Sequence, residues 1–515
     1  MTDSHPSPTK TSFLLILAAT LLLNGCQQPV DPAAQSKPKL PPAGVDFWTV
    51  ALIDGSKIGY SHLEQTELKE NGKTYQKHHH LSELTLQRAA STTRQRTELT
   101  SIETLQGDLV SCRTQMSDGT AKKTTTGRVR NGRLNITTTI AGRQQQTAIP
   151  WQPDWRGFFG VEESLRSQPL KPGEKRKLVV LAPVLMQPAN VELTAGIYEP
   201  TTLATGTKPL LKVERADQLE VADGQTLTIK SILWPNKEGE ILKTLLPGLG
   251  LEEYRTNREH ALAKLGSRPF DINASFSIRL KRTIPEPHKT RRVRYKIHVK
   301  EGQATDFFAQ GATQQIKPLE EGWSEIEVQA ITPLAPRSTT KQPPPTPADT
   351  AANNLVQSDS ELIMAMANSV AGNADNPWEL ACRLEKHVFQ LIEKKDFSQV
   401  FASAQEVAQS RQGDCTEHAV LLAALCRARN IPARVTIGLV YVPRPGAPEM
   451  AYLMWNEVWI NDGWYPLDAT LGRGGIGGAH LKLTDTNLDG SSAFSAFLPV
   501  TQVVRRLQVE VISTE

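Results

Sequence analysis

The sequence is poor in cysteine, with 5 cysteines in 515 residues. Cys26 and Cys415 stand in distinctive contexts that are taken up below, which leaves Cys112, Cys382 and Cys426. Three thiols so far apart form neither a disulfide framework nor the close spacing of a metal site. We therefore expect Cys382 and Cys426 to be small core residues, and we expect no metal and no cofactor.

The chain also lacks a strong charge of either sign and a long apolar run. It has 58 Lys and Arg against 54 Asp and Glu, a formal net charge of +4. An excess this small for the length predicts no nucleic-acid partner. The apolar stretch at residues 13–23 is too short for an ordinary membrane-spanning helix.

The N-terminus has the pattern of an export signal, in which Lys10 precedes the apolar stretch and Leu23-Asn24-Gly25-Cys26 follows it. This ending resembles a bacterial lipobox, which implies cleavage before Cys26 and acylation of that residue. Gln27 resembles the residue found in lipoproteins that are not retained at an inner membrane. We therefore expect an exported, lipid-anchored protein of the cell envelope, in the outer membrane or periplasm. The alternative is an ordinary signal with an incidental cysteine.

The middle of the chain is dominated by short alternating runs. After a Pro-rich tether at 27–45, residues 46–266 predict a β-rich region, an antiparallel sheet or sandwich, with a possible helix within 151–165. A second β segment is predicted at 267–333, where the basic cluster 289–294 is expected on the exposed face of an edge strand. Residues 334–354, which include three successive prolines, predict a linker, and a further domain is expected at 355–515.

His78, His79 and His80 suggest a metal site at first sight. Successive side chains of a strand point to opposite faces, so only His78 and His80 could share an ion. No Asp or Cys stands near them in the sequence. A solvated strand edge is the prediction that we prefer to a metal site.

The stretch around Cys415 carries the clearest signals in the chain. Asp414 suits a helix N-cap, Glu417 follows three residues later as in a capping box, and an apolar run continues to Cys426. A helix is therefore predicted to begin at Cys415. Asn430 and Pro432 are expected to end it. The positive end of a helix favours thiolate over thiol.

A strand at 434–441 and a hairpin follow, with strands at 452–460 and 464–470 and a turn at Asn461-Asp462-Gly463. Gly-Asp-Cys at a helix start, then Trp-Asn-Glu-Val-Trp from Trp455 and Trp-Tyr-Pro-Leu-Asp-Ala-Thr from Trp464, resemble the transglutaminase-like superfamily. The resemblance covers residues 354–505. It implies a papain-like α+β domain, so we predict an α+β fold in which β-rich N-terminal domains precede this domain.

The resemblance implies a nucleophile at Cys415, a triad acid at Asp468 and a cleft residue at Trp455. The triad histidine should begin a His-x-Trp, but the sequence has Leu453-Met454-Trp455. None of the 11 histidines lies between Ala419 and Ala479. Leucine can neither take the thiol's proton nor give it to a leaving amine.

Two other histidines are candidate replacements. His418 lies three residues after Cys415 on the same helix face, so its ring could approach the sulfur; local capping or packing is the alternative. His480, beyond the second hairpin strand, could fold back. Both also resemble features of family members that keep the strand histidine.

Two functions from different classes follow. The first is a module with weak or absent thiol catalysis that binds a peptide or protein or holds an assembly together. The second is an active cysteine enzyme that hydrolyses amides or transfers acyl groups through a Cys415 thioester. Leu453 favours the first, and the presence of Cys415, Asp468 and Trp455 favours the second.

Overall fold

The computed structural model describes residues 44–515 except 89–90, 119–120, 221–225, 267–269, 272–274, 335–341, 373, 375, 394–401, 445 and 490–496. Cys26, the predicted export signal and most of the predicted tether lie outside the described residues, as does part of the predicted linker. The chain divides into two compact units, one reaching to Phe270 and the other comprising Asp271–Glu515 together with the short segment Gln87–Thr92.

The strands of the first unit are Val45–Ile53 (β1), Ser56–Glu70 (β2), Lys73–Arg88 (β3), Ser91–Thr104 (β4), Leu109–Asp118 (β5), Ala121–Arg130 (β6), Arg133–Ile140 (β7), Arg143–Pro150 (β8), Lys175–Ala182 (β9), Gln187–Leu203 (β10), Gly206–Glu220 (β11), Thr226–Pro235 (β12), Ile241–Leu246 (β13) and Leu251–Thr256 (β14). Its helices are Gly160–Ser167 (α1) and Arg258–Leu262 (α2).

These strands form one sheet of 14 strands in the order β8 to β1 and then β14 to β9. Strand β1 joins the two halves of this order by pairing antiparallel with both β2 and β14, while β8 and β9 stand at its two ends. One side-chain set is buried and the other is not, as in β7, where burial alternates residue by residue. The aromatic residues before α1 and the apolar face of α1 pack into the hydrophobic clusters on this sheet, so the predicted β-rich region is confirmed.

The strands of the second unit are Ile278–Arg279 (β15), Arg292–Val299 (β16), Gln314–Pro318 (β17), Trp323–Gln329 (β18), Ala433–Val442 (β19), Glu449–Ile460 (β20), Gly463–Leu467 (β21), His480–Thr486 (β22) and Leu507–Thr514 (β23). Its helices are Glu361–Ala371 (α3), Pro377–Leu391 (α4), Ala404–Ser410 (α5), Cys415–Ala428 (α6) and Leu498–Val503 (α7).

Two sheets shape the second unit. One has the order β15-β20-β19-β22, with β21 added on β20, and the other has the order β17-β18-β16-β23. Helix α6 packs on β19 and β20, and α3, α4 and α5 pack around α6. All residues from Cys415 to Arg427 are consequently buried, which explains why the apolar run of α6 shows no polar face.

The order of the second sheet corrects one prediction. The basic cluster 289–294 does not lie on an edge strand, because β16 pairs with β18 on one side and with β23 on the other. Strand β23 lies more than 200 residues later in the chain, and no local pattern predicts that it pairs with β16. For the same reason residues 267–333 do not stand apart from 355–515: β23 pairs with β16, and β15 pairs with β20.

Helix α4 supplies the site with a buried face. Asn376 caps its start by accepting a hydrogen bond from the backbone N–H of Glu379, and Pro377 occupies the first helical position.

No helix among the described residues is long and apolar enough to cross a membrane.

Candidate active site

The helix start at Cys415 is confirmed. The Asp414 carboxylate accepts a hydrogen bond from the Thr416 backbone N–H at 2.8 Å, and the Glu417 carboxylate accepts one from the Asp414 backbone N–H at 2.9 Å. Gly413 has φ +152°, and a Cβ there would lie 2.3 Å from Glu417 Cβ. The Gly-Asp-Cys order therefore reflects a close approach as well as a cap, and Cys415 is left 2 % exposed.

The capping carboxylates also affect the thiol's surroundings. Burial raises the pKa of Glu417 well above its ordinary value, and the neighbouring charge of Asp414 raises it further. Asp414 is itself buried. A carboxylate that caps the helix offsets the positive potential that would otherwise favour a thiolate at Cys415. The local field at Cys415 thus favours a thiolate less than the helix start alone implies.

His418 is fixed against the first turn of its own helix. Its ring Nδ1 lies 2.5 Å from the carbonyl oxygen of Asp414, so Nδ1–H donates to that oxygen. The side chain is buried, with 2 % of the residue exposed. The geometry gives His418 the local capping contact that the sequence left as the alternative to a base.

Strand β20 places Leu453 on a defined face of the sheet. Met454 Sδ accepts from Thr416 Oγ1 at 3.4 Å, and Asn456 Nδ2 donates to a carbonyl oxygen of α6 at 2.9 Å, so the even-numbered positions face the helix. Alternation puts Leu453 and Trp455 on the other face. Leu453 is 8 % exposed and Trp455 is 2 % exposed, so both are part of the packed interior.

Asp468 forms a hydrogen bond with His480, the second of the two candidate histidines. Its Oδ2 lies 3.1 Å from His480 Nε2, and its Oδ1 accepts from the backbone N–H and the hydroxyl of Thr470 at 2.8 and 2.6 Å. Burial raises the pKa of Asp468, but the hydrogen bonds from His480 and Thr470 outweigh burial and hold that pKa below its ordinary value. Asp468 is therefore a buried carboxylate stabilised by donors.

The ring of His480 is enclosed by other rings. Its centroid lies 5.2 Å from that of Trp455, edge to face, and 6.1 Å from that of His288. Burial lowers the pKa of His288 to about 4, and the positive charge of a protonated His480 would lower it further. Among the described residues, no group forms a hydrogen bond with His480 Nδ1.

Glu385 of α4 also lies beside Asp468, and the sequence did not predict this contact. Its carboxylate accepts from the backbone N–H groups of Asp468 at 3.1 Å and Gly474 at 2.5 Å. Burial raises its pKa to about 8. The signal in the sequence was a charged residue on the apolar stripe of α4, four residues after Ala381 and three before Val388, both of them buried.

The remaining thiols are structural. Cys112 and Cys426 are buried and Cys382 is half-buried, all of them unoxidised. Burial raises the pKa of Cys382 to about 12 and raises the pKa values of Cys112 and Cys426 as well. These three thiols are poor nucleophiles at neutral pH.

The histidine run of β3 is not the solvated strand edge that was predicted. Strand β3 lies between β2 and β4, and His78 and His80 are 1 % and 8 % exposed. Their acidic neighbours come from other elements, since His78 lies beside Glu103 of β4 and Glu163 of α1. Because Glu103 and Glu163 are far from His78 in the sequence, local patterns did not predict either contact.

Comparison with models of protein families finds a match to part of the second unit. The family model described as the transglutaminase-like superfamily matches residues 364–469. None of the curated proteins compared with the chain matches it.

Three solved structures are similar to parts of the chain. A candidate cysteine protease from Cytophaga hutchinsonii is 15% identical, with a TM-score of 0.27, and the match covers 44% of this chain and 85% of that one. A β-barrel-like protein of unknown function from Brucella abortus is 7% identical, with a TM-score of 0.30 and coverages of 41% and 94%. A candidate protease from Parabacteroides distasonis is 12% identical, with a TM-score of 0.19 and coverages of 72% and 68%. Similarity of this degree does not transfer an activity.

Proposed function

Because residues 364–469 form a transglutaminase-like domain, we propose that the domain has weak or absent thiol catalysis and serves to bind a peptide or protein or to hold an assembly together. The observation that carries this proposal is Leu453, an aliphatic side chain packed 8 % exposed at the position where the family resemblance implies the triad histidine. Attack by Cys415 on an amide needs a group that takes the thiol's proton and returns it to the leaving amine.

The surrounding contacts support this proposal. The Nδ1 of His418 is committed to the Asp414 carbonyl oxygen. The Asp468 carboxylate is committed to His480 and Thr470. By analogy with serine hydrolases, loss of the triad histidine costs on the order of a millionfold in turnover.

A second candidate function is favoured by one specific observation. His480 has the bonding pattern of a triad base: Nε2–H donates to a buried carboxylate, and Nδ1 has no hydrogen-bond partner among the described residues. In this reading His480 takes the Cys415 proton, the sulfur attacks an amide carbonyl carbon, the C–N bond breaks, and the proton leaves with the amine. Water or a second amine then releases the acyl group from the thioester.

Thiol reactivity separates the two functions. We would measure the rate of iodoacetamide reaction with the purified protein across pH 5 to 10, using Cys415→Ser to subtract the other thiols. The non-catalytic module gives a Cys415-dependent rate that rises only near or above the free thiol value of about 8.5. An apparent pKa well below that value, lost again in His480→Gln, would establish the enzyme instead.

A gain-of-function variant sharpens the test. Leu453→His returns an imidazole to the face that carries Trp455, and the same variant combined with His480→Gln removes the competitor for Asp468. Amide hydrolysis and amine incorporation should be absent from the natural protein and rise in the double variant. Activity in the natural protein that Cys415→Ser abolishes would overturn the proposed non-catalytic role.

We also propose that the protein is exported and anchored to the cell envelope through acylated Cys26. The support is the Leu-Asn-Gly-Cys ending of the apolar stretch. Labelled fatty acid should enter the natural protein but not Cys26→Ser, and the variant should leave the membrane fraction. Equal labelling of the two proteins would contradict the anchor.

A further inference from the structure

The first unit contains a buried cluster of one histidine and two carboxylates. His78 of β3, Glu103 of β4 and Glu163 of α1 each offer a ligand atom, and these atoms all lie within 4.8 Å of one another. Their side chains are 1 %, 0 % and 4 % exposed. Three separate elements thus deliver metal-binding groups to one interior point.

The cluster has more acceptors than donors. Both ring nitrogens of His78, Oε2 of Glu103 and both carboxylate oxygens of Glu163 are buried and form no hydrogen bond within the described part of the chain. His78 Nε2 lies 3.1 Å from Glu163 Oε1 without forming one. Buried polar atoms nearly always have partners, so an unsatisfied set of this size is one that a bound cation would satisfy, even with the charges of Arg156 and Arg166 nearby.

We propose that His78, Glu103 and Glu163 bind a divalent transition-metal ion of the zinc class, with a water in the fourth position. Imidazole nitrogen and carboxylate oxygen are ordinary zinc ligands, and three protein ligands plus water make a common tetrahedral arrangement. Two carboxylates and one divalent cation also sum to zero charge, which suits a buried site.

The atoms around the cluster are arranged as supports for such ligands. Ser101 Oγ donates to Glu103 Oε1, which is the outer contact that orients a ligating carboxylate. A Cβ on Gly157 would lie 2.0 Å from Glu103 Oε1, so only glycine leaves room for that carboxylate. Phe159 packs edge to face on the His78 ring at 5.3 Å between centroids.

Burial shifts the pKa values of the three residues in the direction that disfavours charge on each of them. Burial raises the pKa of Glu103, and burial together with the charge of Glu103 raises the pKa of Glu163 well above its ordinary value. Burial lowers the pKa of His78 to about 3. A cavity in the same unit is lined by His80, Phe159 and Glu162, and Phe159 also packs on the ring of His78.

The test is metal binding by the full chain after removal of metal with a chelator. Zn²⁺ should bind with one tight equivalent by isothermal titration and raise the thermal midpoint, and Co²⁺ should give the intense visible bands of a four-coordinate site. His78→Gln and Glu163→Gln should weaken Zn²⁺ binding by at least about the 10–100-fold that loss of an outer contact costs.

A matched control is available in the same unit. His62, Asp46 and Glu64 form a second, more exposed cluster, and His62→Gln should leave the tight equivalent intact. Circular dichroism confirms that each variant is folded, and His78→Gln serves if Glu163→Gln does not fold. The proposal is overturned if the natural protein binds no Zn²⁺ tightly, or if only His62→Gln removes binding. The thiol chemistry of the second unit has no bearing on either result.

Discussion

The two units each bury a histidine beside carboxylates, but they balance these groups differently. Asp468 has a donor on each oxygen, from His480 on one and from Thr470 on the other. Ser101 donates to Glu103, whereas neither carboxylate oxygen of Glu163 has a hydrogen-bond partner among the described residues. Burial alone would raise the pKa of all three carboxyl groups, and donors reverse the shift only at Asp468.

The difference teaches that burial of an acid does not by itself predict its state. A carboxylate with enough donors stays ionised and supports the fold, whereas a pair with too few holds a proton or recruits a cation. The donor count therefore separates a structural cluster from a candidate ligand-binding one. Substitutions that change this count test the comparison directly.

The largest effect is expected for Asp468→Ala. The substitution leaves the Nε2–H of His480 and the hydroxyl of Thr470 buried without an acceptor. We therefore expect a loss of about 3–5 kcal/mol in the free energy of unfolding. Urea denaturation measures it. Thr470→Val, which removes one of the donors, is the milder control, and a loss below about 1 kcal/mol for Asp468→Ala would show that the donors do not stabilise this carboxylate.

Glu385 is a boundary case, since it has two backbone donors and still a pKa raised from 4.5 to about 8. A carboxyl group with a higher pKa in the folded state takes up a proton on folding. The contribution of Glu385 to the free energy of unfolding is complete below pH 4.5 and is lost as pH rises toward 8. Glu385→Gln should remove this dependence of the free energy of unfolding on pH.

We therefore expect Glu385→Gln to be more stable than the natural protein at pH 8, by an amount on the order of a few kcal/mol. At pH 4.5 the two proteins should be nearly equal. Chemical denaturation at several pH values between 4.5 and 8 provides the measurement. Parallel profiles would mean that Glu385 titrates normally.

The smallest effect is expected for Glu163→Gln in metal-free protein. An amide supplies donors to a cluster that lacks them, so the free energy of unfolding should stay within about 1 kcal/mol of the natural value or rise. Thermal and urea denaturation after chelation measure it. A loss comparable to that of Asp468→Ala would make the two clusters equivalent and remove the distinction drawn between them.

Local signals predicted the part of the site that local interactions build. Asp414 and Glu417 predicted the start of α6. The turn at Asn461 and Asp462, both of which have positive φ, predicted the hairpin of β20 and β21. These features depend on residues two to four positions apart. Nothing beyond the adjacent sequence is needed to specify them.

Contacts between distant strands were beyond such reasoning. The Asp468–His480 bond depends on the register of β22 on β19, which shifts between Ile437 and Gly438. The approach of Glu103 and Glu163 to His78 depends on the stacking of three elements. A one-residue change of register would point each side chain to the other face, and a single sequence does not fix that register.

Strand β23 has a consequence for the order in which the chain folds. Strand β16 leaves the ribosome about 200 residues before its partner β23, so one side of it stays open throughout the synthesis of the transglutaminase-like domain. The first unit has a similar delay, because β1 pairs with β14, which follows it by about 200 residues. During translation both units thus expose an unpaired strand edge, the kind of surface that chaperones cover and that aggregation exploits.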